Sequence, residues 1–207
     1  MKKYFTFLLV LAAFTTFSFA QMQIGPKAGL NIANIGGDDA GSPDSKMGFA
    51  GGFFFMYQFS NMFAIQPEAY YTMKGAKEKE SFEGVTVEAT VSLDYTEVPL
   101  LLKLLIPIQG SSVNPAIFAG PAVGFNTTAK AKLEADGESM EEDIEDVKST
   151  DFGLVFGGGV GFPVGKNELG FDIRYILGLS TIDDSADAFD IKNNVINFNV
   201  YFGFSLH

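Results

Sequence analysis

Apolar and polar residues alternate with a period of two along most of the chain. Residues 193–206 show the pattern most clearly. Their apolar series is Ile196, Phe198, Val200, Phe202, Phe204 and Leu206, and the intervening series is Asn197, Asn199, Tyr201, Gly203 and Ser205. Successive side chains of a β-strand point to opposite faces, so a period of two is typical of a strand. The pattern predicts a strand with one bulky apolar face.

Seven further segments carry a similar pattern, so the chain predicts eight strands. These strands span residues 22–33, 46–59, 62–74, 90–106, 114–128, 151–164, 168–181 and 193–206. The connections between them alternate in length. Short ones lie at 60–61, 107–113 and 165–167, and long polar ones lie at 34–45, 75–89, 129–150 and 182–192. Tight turns at one end and long loops at the other are typical of outer-membrane barrels, in which the turns face the periplasm.

The bulky face of these strands is predicted to point outward. An eight-stranded barrel has an interior only just wide enough for its own side chains, so about six large apolar residues from every strand would overfill it. A continuous apolar exterior is rare in water but suits a bilayer. At about 3.3 Å per residue and a tilt near 40°, residues 196–206 give an apolar band roughly 25 Å tall. We therefore predict an all-β fold, an eight-stranded antiparallel up-and-down transmembrane β-barrel.

The N-terminal segment is typical of a secretory signal. Lys2 and Lys3 precede an apolar run that ends in the small-residue pattern Ser18-Phe19-Ala20. A retained membrane anchor is the alternative, but the apolar stretch is short for a spanning helix. We expect a signal peptide at 1–20, a barrel domain at 21–207 and a location in the cell outer membrane.

Composition narrows the classes of function. The formal net charge of −11 disfavours a nucleic-acid partner, and the absence of cysteine excludes disulfides. The only histidine is His207, so a Ser-His-Asp arrangement and a His-rich metal site both lack their central member. Carboxylate pairs remain possible for hydrolysis, although no spacing singles one out. We predict a monomeric, non-enzymatic protein without catalytic residues, cofactor or metal, in contact with outer-membrane lipid.

Charged residues recur on the face that points into the lumen. The predicted lumen charge network, structural in role, is formed by Lys27, Glu68, Glu97, Lys103, Asp172 and Arg174. Isolated buried charges are costly, so opposite charges in one narrow interior are expected to pair. Glu68 is the expected partner of Arg174, with Asp172 and Glu97 as alternatives. An ion-conducting or proton-relay path is the alternative reading of the same charges.

Five prolines conflict with a closed sheet. They are Pro26, Pro67, Pro99, Pro115 and Pro121, and all fall within predicted strands. Proline has no amide hydrogen for a ladder, and a closed barrel has no edge strand to spare one. Bulges or strand ends can accommodate only some of them.

The segment 129–150 is the most acidic part of the chain. We expect a solvated surface loop, with weak Ca²⁺ binding as the alternative, although the segment lacks the order of an EF-hand. Met140, Ile144 and Val147 have helical spacing, which predicts a short amphipathic turn.

Two segments carry a family resemblance, "QPEAYYTMKG" at 66–75 and "YTEVPLLLK" at 95–103. With "GPKAGLNIANI" at 25–35, they resemble the PorT-like outer-membrane β-barrel family of Bacteroidetes-type bacteria. The resemblance implies an eight-stranded barrel in the outer membrane. The named member is linked to protein secretion, whereas most relatives have no assigned activity. We expect a structural or surface-interaction role through the long loops, with an extracellular or secretion-machine protein as possible partner. An accessory role in an outer-membrane export machine and a narrow pore are the alternatives.

Overall fold

The computed structural model describes residues 21–82, 85–135, 138–186 and 189–206. The predicted signal peptide and His207 lie outside these ranges. The described residues form nine strands: β1 (Gln21–Gly36), β2 (Asp44–Gln58), β3 (Phe63–Phe82), β4 (Val85–Leu105), β5 (Asn114–Ala135), β6 (Glu138–Asp143), β7 (Thr150–Val164), β8 (Asn167–Gly178) and β9 (Lys192–Leu206). None of the described residues belongs to a helix long and apolar enough to cross a membrane.

Eight of the strands close into a ring of antiparallel neighbours. The order around the ring is β1, β2, β3, β4, β5, β7, β8 and β9. The ring closes because β9 pairs with β1 from Met22↔Leu206 to Gly36↔Lys192. The eight-stranded up-and-down barrel is therefore confirmed for the ring, but the count of eight strands is wrong for the described chain. The ninth strand, β6, pairs only with the end of β5, from Lys130↔Asp143 to Ala135↔Glu138.

Three strands continue well past the rest of the barrel. β3, β4 and β5 have 20, 21 and 22 residues, whereas β8 has 12. Together with β6, their extensions form a four-stranded projecting sheet at the end of the barrel that carries the long connections, here called the loop end. The opposite end, with the connections at 59–62, 106–113 and 165–166, is the turn end.

The predicted loops at 75–89 and 129–150 are therefore largely strand. The helical turn predicted at Met140 is also wrong, because residues 138–143 form β6. Cross-strand pairing explains the difference. β6 has Glu141 and Asp143 opposite Lys132 and Lys130 of β5, and the side chain of Lys130 contacts that of Glu141 at 2.5 Å. Three apolar residues at helical spacing are a weak signal beside a paired ladder.

The apolar residues of the barrel strands form an exposed belt around the ring. In β9, Phe198 is 47% exposed, whereas its neighbours Asn197 and Asn199 are buried. The outward facing predicted for the bulky series is therefore confirmed.

Each of the five prolines is ladder-paired to a neighbouring strand on one side only. Pro26 pairs with Phe53 of β2, and the register between β1 and β9 omits it. Pro67, Pro99 and Pro121 likewise keep one partner strand and are omitted from the ladder on the other side. Pro115 lies one residue inside the start of β5. The missing amide hydrogen thus falls where the ladder is already interrupted, and the barrel stays closed.

The projecting sheet begins near a shift of register between β2 and β3, where β2 has one extra residue between Ser45 and Ala50. Gly75 has a φ of 125°, which favours glycine, and a Cβ there would lie 2.0 Å from the carbonyl oxygen of Val91. Nearby, the Lys46 ammonium donates to the carbonyl of Lys74 at 3.0 Å. Pairing with β2 ends two residues later, at Asp44↔Lys77. Past this point β3 and β4 continue as a hairpin.

Candidate functional site

Polar side chains from the inner face of the barrel fill its lumen. The buried polar residues of the ring are Gln23, Lys27, Asn31, Gln66, Glu68, Thr72, Lys74, Glu97, Lys103, Asp151, Asp172, Arg174, Asn193, Asn197 and Asn199. All six residues of the predicted charge network belong to this set, but the structure divides them among three places.

Four of the six meet in a central cluster. The guanidinium of Arg174 contacts Glu68 through two hydrogen bonds, at 2.6 and 3.2 Å, and donates from Nε to Asp172 at 3.1 Å. Lys27 Nζ lies 2.7 Å from Glu68 Oε1 and 2.9 Å from Asp172 Oδ2. Two cations therefore face two carboxylates, and each charge is compensated. The Arg174 and Glu68 side chains have no exposed surface, so no water-sized space touches them.

Glycines opposite the central cluster give it room. Asp172 and Arg174 of β8 pair with Gly159 and Gly157 of β7. A Cβ on Gly159 would lie 2.8 Å from Cβ of Asp172, and one on Gly157 would lie 2.5 Å from the Phe118 ring. That ring in turn lies 5.1 Å from the Arg174 guanidinium carbon, within cation–π range. The glycines of β7 thus leave the space in the lumen that the larger side chains of neighbouring strands fill.

A second group, the upper cluster, lies closer to the loop end. Lys74 Nζ contacts Glu97 at 2.5 Å and Asp151 at 3.3 Å. The Tyr70 hydroxyl donates to Glu97 at 2.7 Å, and Asn193 donates to Asp151 at 2.9 Å. Glu97, considered as an alternative partner of Arg174, is instead a partner of Lys74.

Sequence reasoning missed Lys74 and Asp151 as lumen residues. Both stood at the ends of predicted strands, where the inner face was not followed further. The alternation itself contains the signal, since Lys74 continues the inward series of Glu68, Tyr70 and Thr72. The real strands continue past these positions, which places both side chains inside.

Three asparagines and a threonine extend from the central cluster toward the upper cluster. Asn31 donates to Thr72 at 2.8 Å and accepts from Asn197 at 2.7 Å. Asn199 donates to Asn197 and, at 2.7 Å, to Asp172. These neutral groups occupy the layer between the charges, so hydrogen bonds run through the lumen from Asp172 to Thr72.

Lys103 lies apart from both clusters, at the turn end. Its Nζ donates to Gln66 at 3.0 Å and lies 5.6 Å from the centre of the Tyr201 ring. Among the described residues, no carboxylate comes within 4 Å of it. Lys103 also lines a cavity of about 200 Å³ that opens at this end.

The projecting sheet has two different faces. The face that continues the lumen side, here called the inner wall, carries Val87, Ala89, Val91, Ala131, Leu133, Ala135 and Met140. Below it, a largely apolar cup of about 350 Å³ is lined by Leu93, Ile144, Ile182, Phe189 and their neighbours. Four acidic residues share the inner face with the wall: Glu78, Glu80, Glu138 and Glu142.

The opposite, outer face of the projecting sheet is charged and paired. Glu88 lies 2.6 Å from Lys77 and 2.8 Å from Lys79. Hydrogen bonds from these two lysines hold the pKa of Glu88 at about 2. Lys130 and Glu141 pair in the same way, and the hydrogen bond from Lys130 lowers the pKa of Glu141.

Three loop residues that line the cup, Asp183, Ser185 and Phe189, are joined by hydrogen bonds and are here called the strap. The carboxylate of Asp183 accepts hydrogen bonds from the amide of Phe189 at 2.7 Å and from that of Ser185 at 2.9 Å. These bonds lower the pKa of Asp183 below its ordinary value. Next to it, Ile182 is buried against Leu93. In the described part of the chain, no three acidic, histidine or cysteine residues group as a metal site would require.

Comparison with known proteins gives a family and a set of remote likenesses. The model of the outer membrane protein beta-barrel domain matches residues 19–184. None of the curated proteins matches the chain. The match confirms the broader part of the PorT-like resemblance, which is membership of an outer-membrane β-barrel family. It does not distinguish the PorT-like proteins from other members of that family.

Three solved structures are similar at low identity. Ail of Yersinia pestis, in complex with the heparin analogue sucrose octasulfate, has 14% identity and a TM-score of 0.40, covering 89% of this chain and 99% of that one. Neisserial surface protein A has 16% identity and a TM-score of 0.48, with 87% and 97% covered. The N-terminal β-barrel domain of Pseudomonas aeruginosa OprF has 9% identity and a TM-score of 0.40, with 86% and 97% covered.

Proposed function

Because the chain belongs to the family of outer membrane protein beta-barrel domains, we propose that it is a non-enzymatic surface-interaction protein. The barrel anchors the protein in the outer membrane as a monomer, and the inner wall with its cup binds an extracellular protein segment. The observation that carries the proposal is the exposed apolar face of the projecting sheet. Leu133 is 50% exposed on it, and Met140 and Phe189 are each 59% exposed.

Lipid cannot cover the inner wall. On the outer face of β4 the apolar belt ends below Asp94, and the outward residues past it are Ser92, Thr90 and Glu88. The projecting sheet therefore stands in water on both faces. Contiguous apolar surface in water is a common mark of a protein-binding site.

The acidic residues around the inner wall favour one kind of partner. Glu78 and Glu80 border the inner wall on β3, and Glu138 and Glu142 border it on β6. None of these four forms an ion pair among the described residues. An apolar surface with an acidic border complements a segment that carries apolar side chains beside lysine or arginine. Such a basic, amphipathic protein segment is the occupant that we propose.

The proposal is tested with a synthetic amphipathic peptide of leucine and lysine, and with its leucine and glutamate counterpart. Binding to the folded protein in detergent micelles is followed by fluorescence anisotropy of the labelled peptide. We expect Met140→Lys to weaken binding of the lysine peptide at least tenfold. Ser139→Lys is the matched control, because it adds the same charge on the same strand but on the outer face.

Two outcomes contradict the proposed function. One is equal binding of the lysine and glutamate peptides. The other is an equal loss of binding in Met140→Lys and Ser139→Lys, which would indicate charge without a specific face. Circular dichroism of both variants checks that the barrel is folded.

The two alternatives are less well supported. A pore would need a water path, whereas the central cluster leaves no water-sized space beside Arg174 and Glu68. We expect no steady single-channel current from the purified protein in a planar bilayer. The PorT-like placement and an accessory role in export rest on the resemblance of residues 66–75 and 95–103 alone, and we keep them as the second candidate.

A further inference from the structure

The cavity at the turn end has the composition of a small-molecule site. It has a volume of about 200 Å³ and lies below the central cluster. The residues that matter for its chemistry are Gln23, Met56, Lys103, Asn114, Glu168 and Tyr201. We call this cavity the vestibule.

Lys103 supplies a cation that the protein leaves unpaired. Its side chain is buried, like those of Lys27 and Lys74, but those two lysines each contact two carboxylates. Lys103 donates only to the neutral Gln66 in the described structure. An ammonium group has three donors, and a buried cation without a counter-charge is costly. An anionic group in the vestibule would compensate it.

The other side of the vestibule supplies acceptors. Glu168 accepts hydrogen bonds from the Tyr201 hydroxyl at 3.0 Å and from Asn114 at 2.9 Å, which fix its carboxylate. Gln23 is only 9% exposed, and its Oε1 has no partner among the described residues. A carboxylate has more acceptor sites than these two hydrogen bonds occupy, and a rotation of the Gln23 amide offers another acceptor.

These groups meet although they come from four strands. The Lys103 ammonium of β4 reaches the ring of Tyr201 on β9, and the hydroxyl of that ring contacts Glu168 on β8. Gln23 on β1 lies beside Gly203, which pairs with Glu168. One cation and one carboxylate therefore share a small cavity with an amide whose oxygen has no partner among the described residues.

We propose that the vestibule binds a free α-amino acid in its zwitterionic form. The ligand carboxylate pairs with Lys103, and the ligand ammonium group donates to Glu168 and Gln23. The vestibule has no net charge from its two ionised residues, so it complements a zwitterion better than it complements an anion or a cation alone. The inference is independent of the surface-interaction function, which concerns the opposite end of the barrel.

The test uses glycine, acetate and glycinamide as probes of the full-length protein folded in micelles. Glycine carries both charges, acetate has only the carboxylate, and glycinamide has only the ammonium. The readout is the ¹³C-methyl resonance of Met56, which lines the vestibule and is assigned from a Met56→Leu sample. We expect a saturable shift with glycine, and affinities at least tenfold lower for acetate and glycinamide.

Variants of the vestibule test the contact of the ligand carboxylate and that of the ligand ammonium group separately. Lys103→Met and Glu168→Gln should each weaken glycine binding at least tenfold. Lys166→Met is the matched control, since Lys166 is exposed in the turn at the same end of the barrel. Failure of all three probes to shift Met56 would overturn the proposal. So would equal affinity for acetate and glycine, or unchanged glycine binding in a folded Lys103→Met protein.

Discussion

The strands β3, β4 and β5 run through two regions in which the polarity of their faces is reversed. In the barrel, β4 buries Glu97 in the lumen and exposes Val98 on the belt. In the projecting sheet, the same strand turns Val91 to the inner wall and Glu88 to the outer face. The ladder between β4 and β3 continues from one region into the other. The backbone pairing of β3 and β4 is therefore the same in both regions, and what changes is the surroundings of the two faces.

This reversal shows what each environment requires of a strand. Against hydrocarbon, the outer face must be apolar, and the charges that remain are enclosed and must pair. Against water, outer-face ion pairs such as Lys132–Glu134 are exposed and contribute little to stability. Substitutions of charge should therefore be costly in the lumen and nearly neutral on the projecting sheet.

Arg174→Met should produce the largest loss of stability. It removes a buried cation from Glu68 and Asp172, and breaking a buried pair typically costs about 3 to 5 kcal/mol. Lys132→Met, the matched change on the projecting sheet, should cost far less, because its ion pair with Glu134 is exposed to water. Urea unfolding in lipid vesicles measures both free energies. Similar losses in the two variants would remove the distinction between the regions.

A double-mutant cycle sharpens that prediction. Glu68→Gln alone leaves Arg174 and Lys27 with one carboxylate between them. Combined with Arg174→Met, it leaves Lys27 with Asp172, a compensated pair. The double variant should therefore lose less free energy of unfolding than the two single variants summed. Additive losses would show that Arg174 and Glu68 do not depend on each other.

An outward arginine compares the two outer faces directly. Phe198→Arg places a charge on the belt and should cost about 2 to 4 kcal/mol if it lies near the bilayer midplane. Thr90→Arg, on the outer face of β4 past the belt, should change stability by less than about 0.5 kcal/mol. The same vesicle titration applies, and equal tolerance at both positions would contradict the lipid contact of the belt.

Packing differs between the two inner faces as well. Gly170→Val would place a Cβ about 2.0 Å from the ring of Tyr201, and overpacking of this kind typically costs about 1 to 3 kcal/mol. Ala131→Val, on the half-exposed inner wall, has room and should cost less than about 0.5 kcal/mol. Unfolding titrations of the two variants compare a filled lumen with an open surface. A loss in Ala131→Val as large as in Gly170→Val would mean that the wall is packed too.

Sequence was enough to predict the barrel because one signal repeats in every strand. The facing of residues such as Phe198 and Asn197 follows from a period of two and from the narrow interior of eight strands. The proximity of Glu68 to Arg174 on distant strands could be anticipated because both lie at mid-height on the inner face. No sequence rule, however, could say that Lys103 would stay without a carboxylate.

The projecting sheet could not be predicted from the same pattern. Residues such as Lys79, Glu88 and Lys130 are typical of loops by composition, and the change in facing at the end of the belt hides the alternation. What makes these segments strands is cross-strand pairing. The β3–β4 ladder continues from the barrel in one register, and β6 then pairs with β5, with Lys130 opposite Asp143 and Leu133 opposite Met140. Long-range pairing of this kind overrides local propensity.

The smallest expected effect concerns the strap over the cup. The hydrogen bonds of the strap should depend on pH, whereas those of the lumen should not change near neutrality. The folded protein lowers the pKa of Asp183 below its ordinary value of 3.8, because the amides of Phe189 and Ser185 donate to the carboxylate, with Lys148 as a minor influence. The stabilisation that these hydrogen bonds give is therefore fully present at a pH above the ordinary pKa, and it is lost as the pH falls through the lowered pKa. Hydrogen-exchange protection of the Phe189 amide should decrease below pH 3.8, whereas that of Asn197 in the barrel should change less.

Asp183→Asn should show the lower protection of Phe189 already at pH 7, since a neutral amide accepts these bonds more weakly than a carboxylate does. Protection of Phe189 that stays constant with pH, or that is equal in the variant and the native protein, would mean that the strap is held by the burial of Ile182 alone.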